Sequence, residues 1–202
     1  VAEDQRRRLF VAMAESVAAR GYAATSVERV IELAGVSRAT FYQHFANRRE
    51  CLLAAHEAIF ARFIERVAGA CPAEAPWEER ASAAIGAALE FATAFPEQAR
   101  LLALDMIAAD RETARRGLVA AERLAAMLRA GRDHHPKATA LPEVTERALI
   151  GAIAGAVNWR LLSGESLAGL EPQLIYLVLA PYVGTVAATR QAEKSASMAE
   201  GR

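Results

Sequence analysis

Apolar residues along the first third of the chain recur at helical rather than strand spacing. Leu9, Phe10, Met13 and Val17 share one side of a segment over residues 3–20, and Gly21 follows Arg20 as a left-handed stop. Thr25 and Glu28 have capping-box spacing, and Val27, Val30, Ile31 and Ala34 form a short stripe that ends at Gly35. Ser37 then caps a third short helix whose inner face needs only Val36, Phe41 and Phe45. Asn47, with Glu50 three residues on, opens a long fourth helix with Leu52, Leu53, Ile59, Phe60, Phe63, Ile64 and Val67 on its apolar side.

The stretch "ACPAEAP" at 70–76 reads as a linker. Beyond it the pattern predicts helices over 77–94, stopped by Pro96, then over 97–109 and 111–130. A loop, "GRDHHPKATALP", separates these from helices over 143–162 and 172–189, and 191–202 is a small, polar, flexible tail. Composition agrees: 53% of residues are hydrophobic but only 6% aromatic, with Ala, Leu, Arg and Glu abundant. Those are helix formers rather than sheet formers, so the fold class is all-α, with about nine helices. A chain of 202 residues is long enough for one or two domains.

Net charge is zero, so an argument for a polyanionic partner rests on local charge. Up to Glu50 the arginines at 6, 7, 8, 20, 29, 38, 48 and 49 outnumber the acidic residues. Cys51 and Cys71 form neither a CxxC pair nor a disulfide framework, which suits a reducing cytoplasm. Residues 172–189 have nearly the length and apolarity of a membrane span, but Gln173, two threonines and two prolines dilute them, so a buried interface helix is expected and no membrane partner. His134 and His135 are adjacent and lack a third ligand at metal spacing, so neither a metal nor a cofactor is expected. A Gly-rich phosphate loop, a nucleophile elbow and HExxH are all absent from the sequence, and no catalytic residue is assigned; the chain does not read as an enzyme.

One stretch carries chemistry. "AGVSRATFYQHF", residues 34–45, places a glycine turn between two short helices, and the second shows Ser37, Arg38, Thr40, Tyr42, Gln43 and His44 outward. This is the form of a helix-turn-helix, whose second helix fits a major groove about 12 Å wide. Arg38 has the donors for a guanine edge, Thr40 and Tyr42 for phosphate oxygens, and His44 for either. Arg48 and Arg49 stand at the positive end of the fourth helix, a position that costs about 0.3–1 kcal/mol per cation unless an anion such as phosphate lies nearby.

"GYAATSVERVIELAGVSRATFYQHFANRRECLLAAHEAI", residues 21–59, resembles the DNA-binding domain of the tetracycline-repressor (TetR) family. The shared features run in order: glycine and aromatic, Thr-Ser, Ala-Gly-Val-Ser, Thr-Phe-Tyr, His-Phe and a basic residue. The resemblance implies operator contacts by Thr25, Ser37, Arg38, Thr40, Tyr42, His44 and Arg48. Thr25, Tyr42 and Arg48 would lie on phosphates and Arg38 and His44 nearer bases. Ala39 stands where the family often has glycine, and its methyl group can meet a thymine methyl. Arg48 replaces the usual lysine and keeps the charge.

A single helix-turn-helix reads too few base pairs, so a homodimer is expected. Ala148, Gly151, Ala152 and Gly155 supply close-packing positions, and with Leu174, Val178 and Tyr182 of the last helix they are the expected interface, half of an intermolecular four-helix bundle. Phe60, Phe63, Phe91, Phe95, Asp105, Met106, Met127, Asn158 and Trp159 are the candidate lining of an effector cavity. The domain division is 1–46 for DNA binding and 47–190 for ligand binding and dimerisation, joined by the helix over 47–69. The function expected is a cytoplasmic homodimeric regulator, a repressor that leaves a palindromic operator on double-stranded DNA when a small-molecule effector binds. The alternative is a helical dimeric adaptor or ligand-binding protein without DNA binding.

Overall fold

A computed structural model of the chain describes residues 1–72, 74–102 and 111–200. Among these the order is α1 (Ala2–Ala24), α2 (Val27–Ala34), α3 (Arg38–His44), α4 (Arg48–Ala70), α5 (Trp77–Ala94), α6 (Pro96–Arg100), α7 (Arg111–Arg129), α8 (Gly131–His134), a 3-10 turn (Pro136–Ala140), α9 (Thr145–Ser163), α10 (Leu170–Val183) and α11 (Thr185–Glu200). The described residues contain no strand, as the all-α pattern predicts. The chain divides into two compact units, Val1–Phe63 with Phe95–Gly117 and Ile64–Ala94 with Leu118–Arg202.

In the first unit α1 packs on α2 and α6, and Leu9, Met13, Val17, Val30, Phe41 and Leu52 are sealed from solvent. Gly21 breaks α1 as the pattern predicts, but with φ 75° and ψ 161°, which is not the left-handed helical stop expected. That region is open essentially to glycine alone. Pro96 does more than stop α5: it starts α6, where its fixed φ suits the first helical turn. Most of the helix expected over 97–109 lies outside the described residues, as do Asp105 and Met106.

In the second unit α10 is central, packed on α5, α9, α11 and the 3-10 turn. The segment 131–142, expected as a loop, is instead ordered around one ion pair. Arg132 Nε donates to Glu146 Oε1 at 2.7 Å and its other nitrogens donate to the carbonyls of Leu141 (2.8 Å) and Pro142 (2.9 Å). Glu146 is fully buried and also accepts from the Tyr182 hydroxyl at 3.0 Å. Gly131 is needed for space here, since a Cβ would lie 2.4 Å from the Trp77 ring.

The single helix expected over 172–189 is two helices, because Gly184 (φ 83°, ψ 164°) breaks it. Among the described residues no helix is long and apolar enough to cross a membrane. The stretch expected as a flexible tail continues α11 to Glu200, held by Gln191 to Ser82, Lys194 to Glu79 and Ser195 to Glu171.

Candidate nucleic-acid interface

The helical pair α2–α3 is fixed at each corner. Ser26, rather than Thr25, is the N-cap of α2, accepting from the Arg29 N–H at 3.1 Å. Gly35 closes α2 in the left-handed conformation (φ 60°, ψ 42°), which glycine adopts without a Cβ penalty. Arg8 of α1 reaches the same corner and donates to the Ala34 carbonyl at 2.8 Å, placing a cation at the negative end of α2. Ser37 caps α3 by accepting from the Thr40 N–H at 3.0 Å. Beneath α3, Phe41 and Phe45 are buried with ring centroids 5.9 Å apart, and Phe10 of α1 meets Phe45 at the same distance.

Such an underside leaves the opposite face free of packing duties. Ser37, Arg38, Ala39, Tyr42 and Gln43 are exposed, and Thr40 and His44 half-buried. Tyr42 is 46% exposed, unusual for an aromatic side chain on a helix this well anchored. The Arg38 guanidinium lies 5.7 Å from the Tyr42 ring centroid and donates from Nη1 to Glu28 Oε1 of α2 at 2.8 Å. A hydrogen bond from its own backbone N–H, with the arginine alongside, holds the Glu28 carboxyl below its ordinary range. The Ser37 and Thr40 hydroxyls share a 2.9 Å hydrogen bond, and His44 sits against Phe45 at 6.1 Å.

Two predicted contact residues are employed elsewhere. Thr25 is buried, accepting from the Ser16 hydroxyl at 3.1 Å and donating to the Gly21 carbonyl at 3.0 Å, so its hydroxyl is turned into the unit. Its neighbour Ser26 is the exposed residue. Arg48 donates to the carbonyls of Thr25 and Ala23 and stacks over Tyr22, 4.3 Å from the centroid. The cation at the positive end of α4 is therefore offset by carbonyl dipoles and an aromatic face, with no phosphate required. The fourth helix opens as its spacing predicts: Asn47 Oδ1 accepts from the Glu50 N–H at 2.9 Å while Glu50 reaches back to the Ala46 N–H at 2.7 Å.

The described candidate effector residues come from both units. Phe60, Phe63 and Phe95 belong to the first unit and Phe91, Met127, Asn158 and Trp159 to the second. Phe60, Phe91 and Asn158 are buried, whereas Met127 is 40% and Trp159 70% exposed. The second unit does contain a groove of about 480 Å³ lined by Glu79, Ser82, Gly86, Glu90, Glu171, Gln191 and Lys194 among others, none of them on the predicted list of lining residues. No group of His, Cys, Asp and Glu among the described residues fits a metal ion.

The predicted dimer residues split. Ala148, Gly151, Ala152 and Gly155 are exposed on α9. Leu174, Val178 and Tyr182 are buried within the unit, because they form the side of α10 that meets its own neighbours, and they cannot also face a second chain. The exposed apolar residues of α10 are Tyr176 and Leu177, and Trp159 and Leu162 of α9, with Val144 at its N-cap, join the small residues. The α9 positions follow each other at three- and four-residue spacing, a signal of one helical face that the all-round apolarity of the sequence obscured.

Residues 9–55 match the family model described as bacterial regulatory proteins, tetR family. A curated relative, the HTH-type transcriptional activator FasR of Mycolicibacterium smegmatis, is 29% identical over 89 residues, which cover 44% of this chain; the match spans only 41% of that protein's length. Among solved structures, the fatty acid degradation regulator FadR from Bacillus halodurans superposes with a TM-score of 0.75 at 17% identity, over 88% of this chain and 98% of that one. FadR from Bacillus subtilis in complex with stearoyl-CoA gives 0.67 at 18% identity, over 88% and 98%. A TetR family transcription regulator from Marinobacter aquaeolei VT8 gives 0.70 at 19%, over 90% and 95%. With the motif series carried on α2 and α3, residues 9–55 have the N-terminal helix-turn-helix domain of the tetR family of bacterial regulatory proteins, and the fold of the chain is that of the solved regulators it resembles.

Proposed function

We propose that this regulator works as a homodimer that binds a palindromic operator through α3, represses from it, and leaves it when a small-molecule effector binds. The observation that carries the reading is the division of labour on α3: phenylalanines buried beneath, and Arg38, Tyr42 and Gln43 presented above. A helix fixed on one side and furnished with donors on the other matches what direct base readout requires. Ser37, Ala39, Thr40 and His44 complete the contact surface, Ala39 toward a thymine methyl. Thr25 and Arg48 serve as supports behind it.

Pairing is proposed through the exposed face of α9, Ala148, Gly151, Ala152, Gly155, Trp159 and Leu162, with Tyr176 and Leu177 of α10. Small residues allow close approach, and burying the tryptophan and leucine supplies the driving force. Operator binding belongs to residues 1–46 and effector binding and pairing to 47–190, in the cytoplasm. Stearoyl-CoA is the first effector to try, since a structurally similar regulator is described in complex with it. Activation is a second reading, favoured by the curated relative being named an activator.

Selection of bound duplexes from a random pool tests the reading. An enriched inverted repeat, released by an effector and giving lower reporter output in cells, is the expected result. Enrichment of nothing would favour an adaptor, and a rise in output would favour activation.

A further inference from the structure

We propose that Glu28 is a positioning residue that sets base specificity by fixing how Arg38 presents its guanidinium. This rests on the reading of α3 as the helix that enters the groove. Glu28 and Arg38 lie on different helices, ten residues apart in sequence, and meet at 2.8 Å with both side chains 62% exposed. An ion pair that open to water adds little to folding stability, so stability is a poor explanation for it. Affinity is a worse one: a carboxylate on a face offered to DNA repels phosphates and weakens binding to any duplex.

What the carboxylate does supply is geometry. Arg38 gives Glu28 one N–H of Nη1, so the edge formed by Nε and Nη2 remains intact for the N7 and O6 acceptors of a guanine. The Tyr42 ring flanks the same guanidinium at 5.7 Å, leaving the group held from two sides. Both holders are themselves fixed, Glu28 by the Ser26-capped start of α2 and Tyr42 by the packed Phe41 beside it. An arginine held this way loses less rotamer freedom on binding, and it offers its fork in one direction, which rewards a single base.

The test is a set of dissociation constants for wild type, Arg38→Ala, Glu28→Ala and Glu28→Gln, each on the selected operator, on operators changed at the Arg38-dependent base pair, and on an unrelated duplex. Thermal unfolding of each variant is measured alongside. Glu28→Ala is expected to bind the unrelated duplex several-fold tighter while its preference at that one base pair falls about tenfold. Glu28→Gln, whose amide oxygen still accepts from Nη1, is expected to recover part of the preference, and melting is expected to stay within a few degrees of wild type. Preference retained by Glu28→Ala but lost by Arg38→Ala would overturn the role of Glu28 and leave the base-contact reading standing. Preference retained by both would overturn both, and a large loss of melting temperature in Glu28→Ala would make the residue structural.

Discussion

The outer faces of α3 and α9 are both exposed, yet they solve opposite problems. On α3 the exposed groups are an arginine, a phenol and an amide, with the Ser37 hydroxyl at its cap, polar groups that water or a neighbouring side chain satisfies until a partner replaces it. On α9 they are glycine, alanine, Trp159 and Leu162, which water cannot satisfy. A contiguous apolar face of that kind marks a surface meant to be covered, whereas a polar face on a rigid helix marks one meant to read. Their different chemistry predicts different responses to substitution.

The largest response is expected on α9. A Cβ at Gly155 meets nothing within 4 Å, so Gly155→Arg is expected to leave the unit folded but to place like charges together across the proposed two-fold interface. Sedimentation is expected to show monomers, with a dimer dissociation constant raised at least about a hundredfold. A variant that stays dimeric would remove α9 from the interface.

Inside the second unit, Glu146→Ala is expected to lower stability in urea unfolding, because it removes the carboxylate that pairs with Arg132 and accepts from the Tyr182 hydroxyl. The Arg132 hydrogen bond holds the Glu146 carboxyl below the ordinary glutamate range, against the opposing effect of burial. Its contribution is therefore complete above about pH 4.3, the unfolded value, and is lost as pH falls through the lower folded one. Wild type is expected to lose stability across that acid range more steeply than Glu146→Gln.

Smaller effects separate the supports of the first unit from its reading face. Thr25→Val breaks the buried link to Ser16 and is expected to cost about 1–3 kcal/mol of stability while leaving duplex binding by the folded protein unchanged. Tyr42→Phe is expected to do the reverse, with unfolding unchanged and all duplexes bound about 1 kcal/mol more weakly. If Thr25→Val weakened binding to every duplex without loss of stability, the buried threonine would have to be a phosphate contact.

Local rules made the first unit readable. The caps at Ser37 and Asn47, the stop at Gly35 and the buried Phe41 and Phe45 all follow from residue spacing within a few positions. What the pattern missed depends on contacts distant in sequence. Arg48 could not be seen to prefer the carbonyls of Ala23 and Thr25, and Thr25 could not be seen to turn inward toward Ser16. In the second unit the order of 131–142 depends on Glu146, and helices apolar on most sides gave no hint that Leu174 and Val178 face inward while Tyr176 and Leu177 face out. The effector residues were chosen for size and aromaticity, which mark core as readily as cavity, and the structure divides them between units.

The most direct measurement is methylation interference on the selected operator with wild type and Arg38→Ala. Wild type is expected to be blocked by N7 methylation of one guanine in each half-site, the two lying about one helical turn or a multiple of it apart, and Arg38→Ala is expected to lose that block. Interference only from adenine N3 in the minor groove, or a guanine block that persists in Arg38→Ala, would contradict the assignment of α3 as the helix that reads the DNA.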